Sequence, residues 1–133
     1  MKKRILAGLC AVLLLTGCAH EYNQVYKTTN NDYKYEFAKE CFAKGKYGFA
    51  VPLLQDLVTV EKGTDNAQEC LYMLGMAEYG LKDYQAASET FKKYYQTYPR
   101  GQYAEMASFY IGQSLFEGTP EPRLDQTPTV AAI

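Results

Sequence analysis

Residues 71–99 decide the fold of this chain, and they read LYMLGMAEYGLKDYQAASETFKKYYQTYP. A stretch that lies 37 residues earlier has the same order of aromatic, apolar and small side chains. The matched pairs are Tyr35 with Tyr72, Phe37 with Leu74, Ala38 with Gly75, Phe42 with Tyr79, Tyr47 with Tyr84, Ala50 with Ala87, Leu54 with Phe91, and Leu57 with Tyr94. The same offset, applied once more, reaches Phe109, Ile111, Gly112 and Phe116. A constant offset over this length indicates an internal structural repeat.

Each repeat has the pattern of two antiparallel helices joined by a short turn. Small residues at Ala38, Gly75 and Gly112 allow neighbouring helices to approach closely. One helix pair cannot bury its apolar face alone, so pairs must stack into a continuous core with a curved surface. The sequence therefore predicts an all-α solenoid of helix pairs over residues 32–133, with two repeats and the first helix of a third.

Two aromatic residues and one proline make local predictions. Tyr47 and Tyr84 come just before the second helix of each repeat, where we expect their rings to fill the corner between the helices. Pro52 lies early in the second helix of the first repeat, and proline lacks the N–H that a helix interior needs. We therefore expect that helix to begin late or irregularly.

The segment from Leu71 to Pro99 resembles the tetratricopeptide repeat. The resemblance rests on the pattern Leu-x2-Leu-Gly-x-Ala-x-Tyr-x4-Tyr-x2-Ala-x3-Phe-x2-Tyr-x4-Pro. The family spacing is 34 residues, and the three extra residues here fall in the connection between helix pairs, where an insertion costs little. Lys62 departs from the family pattern, because it stands at the proline position of the first repeat. The resemblance implies a tetratricopeptide-like α-solenoid.

The chain begins with the pattern of a bacterial secretion signal. Three basic residues (Lys2, Lys3 and Arg4) precede an apolar run that ends at Leu15, and Thr-Gly-Cys18 follows. The apolar run is too short to span a bilayer, which needs about 20 residues. Two alternatives remain open, namely an ordinary secretory signal with a chance cysteine, and a membrane helix.

The ending of this signal resembles the lipobox of bacterial lipoproteins, which implies cleavage before Cys18 and acylation of its thiol. Two or more acyl chains hold a protein stably on a membrane. We therefore expect residues 1–17 to be a signal peptide. Residues 18–31 are expected to be the lipidated cysteine and a flexible tether with a reach of roughly 20 Å, and residues 32–133 the repeat domain.

Composition narrows the functional classes. The precursor has a net charge of −1, and its signal holds three of the 14 basic residues and none of the 15 acidic ones, so the mature side chains carry about −4. A mildly acidic surface argues against nucleic acid binding, which needs a basic patch. The single histidine, His20, lies in the predicted tether, and no catalytic or metal-binding spacing is present. We expect no enzyme activity, cofactor, metal or small-molecule substrate.

Two cysteines, Cys41 and Cys70, fall within the repeat domain. The expected compartment allows disulfides to form. We nevertheless favour two buried free thiols, because buried cysteine often behaves as a small apolar side chain. A bridge between the two remains the alternative.

Three short stretches narrow the resemblance further. They are KGKY at residues 44–47, YQTYPRG at 95–101 and TPEPRLDQ at 119–126. With the signal and the repeats, they resemble the BamD-like lipoproteins of the outer-membrane β-barrel assembly machinery. That resemblance implies a lipid-anchored protein on the periplasmic face of the outer membrane, with unfolded outer-membrane proteins and β-barrel assembly subunits as partners. The alternative is a stand-alone tetratricopeptide lipoprotein that scaffolds cell-envelope or cell-wall enzymes.

The end of the chain carries the start of another helix. Thr127 and Pro128 have the pattern of an N-cap followed by proline at the first helical position. Members of the family carry more repeats than this chain contains. We therefore expect the natural protein to continue past Ile133.

The first helices of this repeat class face a concave groove, and the resemblance assigns candidate contact residues there. They are Tyr35, Lys39, Tyr72, Met76, Phe109 and Gln113. A second row of aromatic residues, Phe42, Tyr79 and Phe116, lies seven residues further along the same helix faces. Two roles remain open for these side chains. They contact a peptide with aromatic or apolar anchors, or they pack within the scaffold, and packing is favoured for the second row.

Overall fold

The computed structural model describes residues 19–120 and residue 131, and that part of the chain contains helices and connections but no strand. After a short helix over residues 19–27, five helices follow one another: α1 (Asn31–Ala43), α2 (Tyr47–Val60), α3 (Asn66–Gly80), α4 (Tyr84–Thr97) and α5 (Ala104–Glu117). Each helix packs against the next one in the chain. None of the helices in the described residues is long and apolar enough to cross a bilayer. The all-α prediction is confirmed for these residues, and the packing is that of a helical-repeat array.

The turn inside each repeat is built the same way twice. The Gly45 N–H donates to the Phe42 carbonyl over 3.0 Å, and the Lys82 N–H donates to the Tyr79 carbonyl over 2.9 Å. Both bend residues have a positive φ, 70° at Gly45 and 63° at Lys82. Glycine adopts this conformation without a steric cost, whereas a residue with a Cβ does not. The second turn therefore keeps the geometry of the first despite the lysine.

The second helices also begin at matched residues, Tyr47 and Tyr84. The expectation that α2 begins late or irregularly is therefore wrong, because Pro52 lies inside a helix that starts at Tyr47. Proline leaves the carbonyl four residues earlier without its helical donor. That carbonyl belongs to Gly48, which is exposed and accessible to water. The fully buried Leu54 on the opposite side holds the helix in register.

The rings of Tyr47 and Tyr84 fill the corners of the array, as the sequence predicted. The Tyr47 ring centre lies 5.6 Å from that of Phe42, and a Cβ added to Gly80 would collide with the Tyr47 ring. The Tyr84 ring centre lies 5.3 Å from that of Tyr79. These contacts join the second helix of each repeat to the first.

The predicted close approach of helices occurs at Gly75. A Cβ added there would lie 2.7 Å from the ring of Phe91, which is fully buried. Ala50 and Ala87, the small residues of the second helices, are also fully buried. At Gly112, the matching position of the third repeat, an added Cβ meets no described atom within 4 Å.

The core divides at helix α3, which contributes to both halves. Leu74 lies in a buried cluster with α1 and α2, and Leu71 lies in a second cluster with α4 and α5. Val58 of α2 packs against both clusters. The array therefore has a continuous apolar interior from α1 to α5.

Residues 19–27 form a helix that packs on the first repeat, which differs from the flexible tether that the sequence predicted there. Val25 is fully buried and belongs to the first core cluster. The Tyr22 ring centre lies 4.9 Å from that of Phe49 in α2. A helix of this length is not stable alone, so these two apolar contacts stabilise it.

Candidate partner-binding surface

The first-repeat candidates, Tyr35 and Lys39, lie where α1 contacts α3. Tyr35 is buried, and its hydroxyl donates a hydrogen bond to the carboxylate of Glu69. Burial, followed by the hydrogen bond to Glu69, raises the pKa of Tyr35 above its ordinary value. The Lys39 ammonium lies 4.9 Å from the centre of the Tyr35 ring, a cation–π distance. Tyr35 therefore has a packing role in the described structure.

The second-repeat candidates lie against the second core cluster. The half-buried Tyr72 ring stacks on Tyr103 with centres 4.3 Å apart and planes 5° apart. It also meets Tyr94 edge-on at 6.2 Å, and burial raises its pKa. Met76, one turn further along α3, packs against the same cluster. Tyr72 and Met76 therefore pack where the second repeat meets the third.

Among the six candidates, the described array leaves only Phe109 of the third repeat exposed. Phe109 is 57% exposed, and its ring is in edge-to-face contact with Tyr110 at 5.2 Å. Gln113 is half-buried and donates to a carboxylate oxygen of Glu117 over 3.0 Å. The array holds Phe109 at the same repeat position as Tyr72, but no described residue covers it in the way that Tyr103 covers Tyr72.

The second aromatic row divides in the same manner. Phe42 packs against Tyr47, and Tyr79 meets Tyr110 edge-on with ring centres 5.1 Å apart. Phe116, the third member of the row, is 68% exposed. The two earlier members are scaffold contacts, whereas the third is exposed in the described part of the chain.

Four residues on α5 form one accessible stripe, which we call the open face. Its members are Met106, Phe109, Gln113 and Phe116. Their spacing of three, four and three residues places them on one side of a helix. Met106 is 46% exposed. Three large apolar side chains on one helix face are typical of a protein contact surface.

Three of the residues that shape this region were missed by the sequence reasoning. Met106 lies three residues before Phe109 on the same helix face, so the helical spacing could have identified it. Glu69 gives no such signal, because an acidic residue on a helix face is most often solvated. Tyr103 lies in the connection before α5, outside the positions matched between repeats, so no periodic pattern marks it.

The two cysteines of the domain are buried and free, in agreement with the alternative that the sequence favoured. Burial, followed by the nearby carboxylates of Glu61 and Glu69, raises the pKa of Cys70 to about 12. Burial also raises the pKa of Cys41. The thiolate is the nucleophile and the metal ligand of cysteine, and these shifts disfavour it at neutral pH. Both residues therefore act as apolar packing groups.

Several predicted features lie outside the described residues. They are the signal peptide at residues 1–17, the lipidation site Cys18, and the helix start at Thr127 and Pro128. No protein-family model matches the chain, and no curated protein matches it. The chain is thus characterised by its helical array, its open face and its sequence patterns.

Proposed function

We propose that this chain is a lipid-anchored tetratricopeptide-like protein that binds segments of partner proteins along its concave side. The observation that carries the proposal is the open face, where Phe109 and Phe116 are 57% and 68% exposed at positions that are covered in the preceding repeat. The 37-residue register places these rings in line with Tyr72 and Tyr79. A partner that covers the open face would extend the row of buried aromatic contacts.

The chemistry of the open face favours a particular kind of ligand. Burying a large apolar side chain contributes about 1.5–3 kcal/mol, and aromatic residues are frequent among the few side chains that dominate binding. The only polar member of the face, Gln113, already donates to Glu117. An extended or helical peptide with aromatic or apolar anchors would complement this stripe.

The sequence supports a specific setting for this activity. The pattern at Cys18 supports an acylated protein, and the resemblance to BamD-like lipoproteins supports the periplasmic face of the outer membrane as its location. The stretches at residues 44–47, 95–101 and 119–126 support a BamD-like role in the β-barrel assembly machinery. Unfolded outer-membrane proteins and other assembly subunits would then supply the apolar and aromatic segments.

The test is a mild-detergent pull-down of the lipidated protein, expressed from its full natural reading frame, from native envelopes. Partners are identified by mass spectrometry. Recovery of a large outer-membrane barrel with soluble periplasmic domains is the expected result. Recovery of cell-wall enzymes without such a barrel would contradict the assembly role and support the scaffold alternative.

A pair of double variants links the result to the open face. Phe109→Ala with Phe116→Ala should reduce recovery of the partner at least tenfold. Leu81→Ala with Tyr95→Ala removes two other exposed large side chains, 49% and 45% exposed, and should leave recovery within twofold of wild type. Equal recovery by both double variants would remove the open face from the binding site.

A further inference from the structure

Residues 19–27 stand between Cys18 and the first repeat, and the structure shows how they are held. Val25 is fully buried among the side chains of α1 and α2. Tyr22 packs on Phe49 at 4.9 Å. A cavity of about 60 Å³ lies beside Tyr22, where the spacer residues meet α1 and the start of α2.

The packed helix shortens the distance between Cys18 and the domain. Val25 lies seven positions after Cys18, and a helix rises about 1.5 Å per residue, which gives about 10 Å. The same run as a flexible coil would allow a root-mean-square reach of roughly 15 Å in any direction. A lipid on Cys18 would therefore leave little freedom between the bilayer and the buried Val25.

We propose that residues 19–27 are a packed spacer that holds the first repeat against the lipid surface at a fixed height. This inference rests on the proposed lipid anchor at Cys18 and adds to it a defined distance between the bilayer and the first repeat. The open face lies at the other end of the array, on α5. The spacer therefore holds the binding surface at a defined distance from the membrane.

The exposed charges of the spacer bear on the kind of lipid it would meet. Charges of both signs are present, with Glu21 and Lys27 both exposed on the spacer. We therefore expect the height to be the same on neutral and on anionic vesicles, because an acidic lipid attracts only a basic segment.

The test inserts the same ten-residue Gly-Ser segment at two places in the full lipidated chain. One insertion falls between Ala19 and His20, before the packed residues of the spacer. The other falls between Thr28 and Thr29, after them. The height of the domain is measured by energy transfer from a fluorophore at the exposed Lys92 to headgroup-labelled lipid in phosphatidylcholine vesicles.

The spacer predicts different results for the two insertions. The insertion before the packed residues should raise the domain by up to about 17 Å, the root-mean-square length of ten flexible residues. The insertion after them should leave the height at the wild-type value, because Val25 still holds the spacer on the domain. Equal increases for both insertions would overturn the proposal.

Two substitutions in the chain with the insertion after Thr28 test the role of Val25. Val25→Asp should release the spacer and raise the domain as the earlier insertion does. Asn23→Asp adds the same charge at an exposed residue of the spacer and should leave the height unchanged. An unchanged height with Val25→Asp would overturn the packed spacer.

Flotation with the vesicles separates this inference from the function on which it rests. Wild-type protein that fails to float contradicts the lipid anchor, and with it both proposals. Protein that floats but shows equal increases for the two insertions contradicts the spacer alone.

Discussion

The two ends of the helical array are finished differently. At the N-terminal end, residues 19–27 lie across the first repeat and bury Val25 completely. At the other end, α5 presents Phe109 and Phe116 with more than half of each side chain exposed. Within the described residues, the first helix of the array is thus covered, and the last one, α5, is exposed. The difference shows that burial in a repeat array depends on the neighbouring helix as well as on the residue itself.

Two matched glycines make the comparison at atomic scale. A Cβ on Gly75 would press on the Phe91 ring at 2.7 Å, whereas a Cβ on Gly112 meets no described atom within 4 Å. Both positions follow the same sequence rule for close helix approach. In the described residues, close approach occurs at Gly75, where α4 packs against α3, and does not occur at Gly112.

The largest expected effect comes from removing the buried Phe91 ring, which packs between α3 and α4 in the second repeat. Phe91→Ala should lower the free energy of unfolding by about 3–5 kcal/mol, because Phe91 is fully buried and its loss leaves a cavity. Phe116→Ala on the open face should change it by less than about 0.5 kcal/mol. Urea unfolding followed by circular dichroism measures both. Equal losses for the two variants would mean that the ends do not differ.

The next comparison uses one aromatic position of the repeat, which is Tyr72 in the second repeat and Phe109 in the third. Tyr72→Ala should cost about 1.5–3 kcal/mol, because it removes a half-buried ring that stacks on Tyr103 at 4.3 Å. Phe109→Ala should cost less than about 0.5 kcal/mol and should instead weaken partner binding. Thermal unfolding and a binding assay on the same samples separate the two effects. A large loss of stability with Phe109→Ala would show that its ring is buried in solution.

Opposite signs are expected for the two glycines. Gly75→Ala should destabilise the fold by about 1–3 kcal/mol, because the new methyl group forces the buried Phe91 ring to shift. Gly112→Ala should stabilise it by about 0.5–1 kcal/mol, since alanine is the better helix former and the site is open. The difference in urea midpoint between the variants measures this contrast. Destabilisation by Gly112→Ala would reveal a helix packed against α5.

The smallest effect tests whether the two covered repeats are equivalent at their turns. Lys82→Gly should raise the free energy of unfolding by about 0.5 kcal/mol, because glycine adopts the positive φ of 63° without strain. Gly45→Ala should lower it by about 1 kcal/mol for the converse reason. Differential scanning calorimetry resolves both changes. A stabilising Gly45→Ala would show that the first turn differs from the second.

Much of the array was predictable because its interior is periodic. The offset between Tyr35 and Tyr72 located both helix pairs, and the small residues predicted the close contact between α3 and α4 at Gly75. The regular start of α2 was not predicted. Pro52 taken alone predicts an irregular helix, and the burial of Leu54 that stabilises α2 arises only from contacts in the folded chain. The helix over residues 19–27 was also missed, since Tyr22 and Val25 lie outside the repeat and gain their apolar contacts only in the folded chain.

The candidate site was predicted less completely than the fold. The repeat pattern gave the correct helix faces, but it treated Tyr35, Tyr72 and Phe109 alike. The contacts that distinguish them come from Glu69 and Tyr103, which no periodicity marks. Neighbouring segments decide which of these three aromatic residues is covered and which is exposed. The three-dimensional arrangement is therefore needed to distinguish packing residues from accessible ones.

The most direct test of the account is hydroxyl-radical footprinting of the full-length lipidated protein, with mass spectrometry of each peptide. The account predicts rapid oxidation of Phe109, Phe116 and Met106, and slow oxidation of the buried Phe91 and Met73. Addition of the captured partner should slow oxidation of the three open-face residues alone. Oxidation of Phe109 and Phe116 at the rate of Phe91 in the unbound protein would contradict the open face.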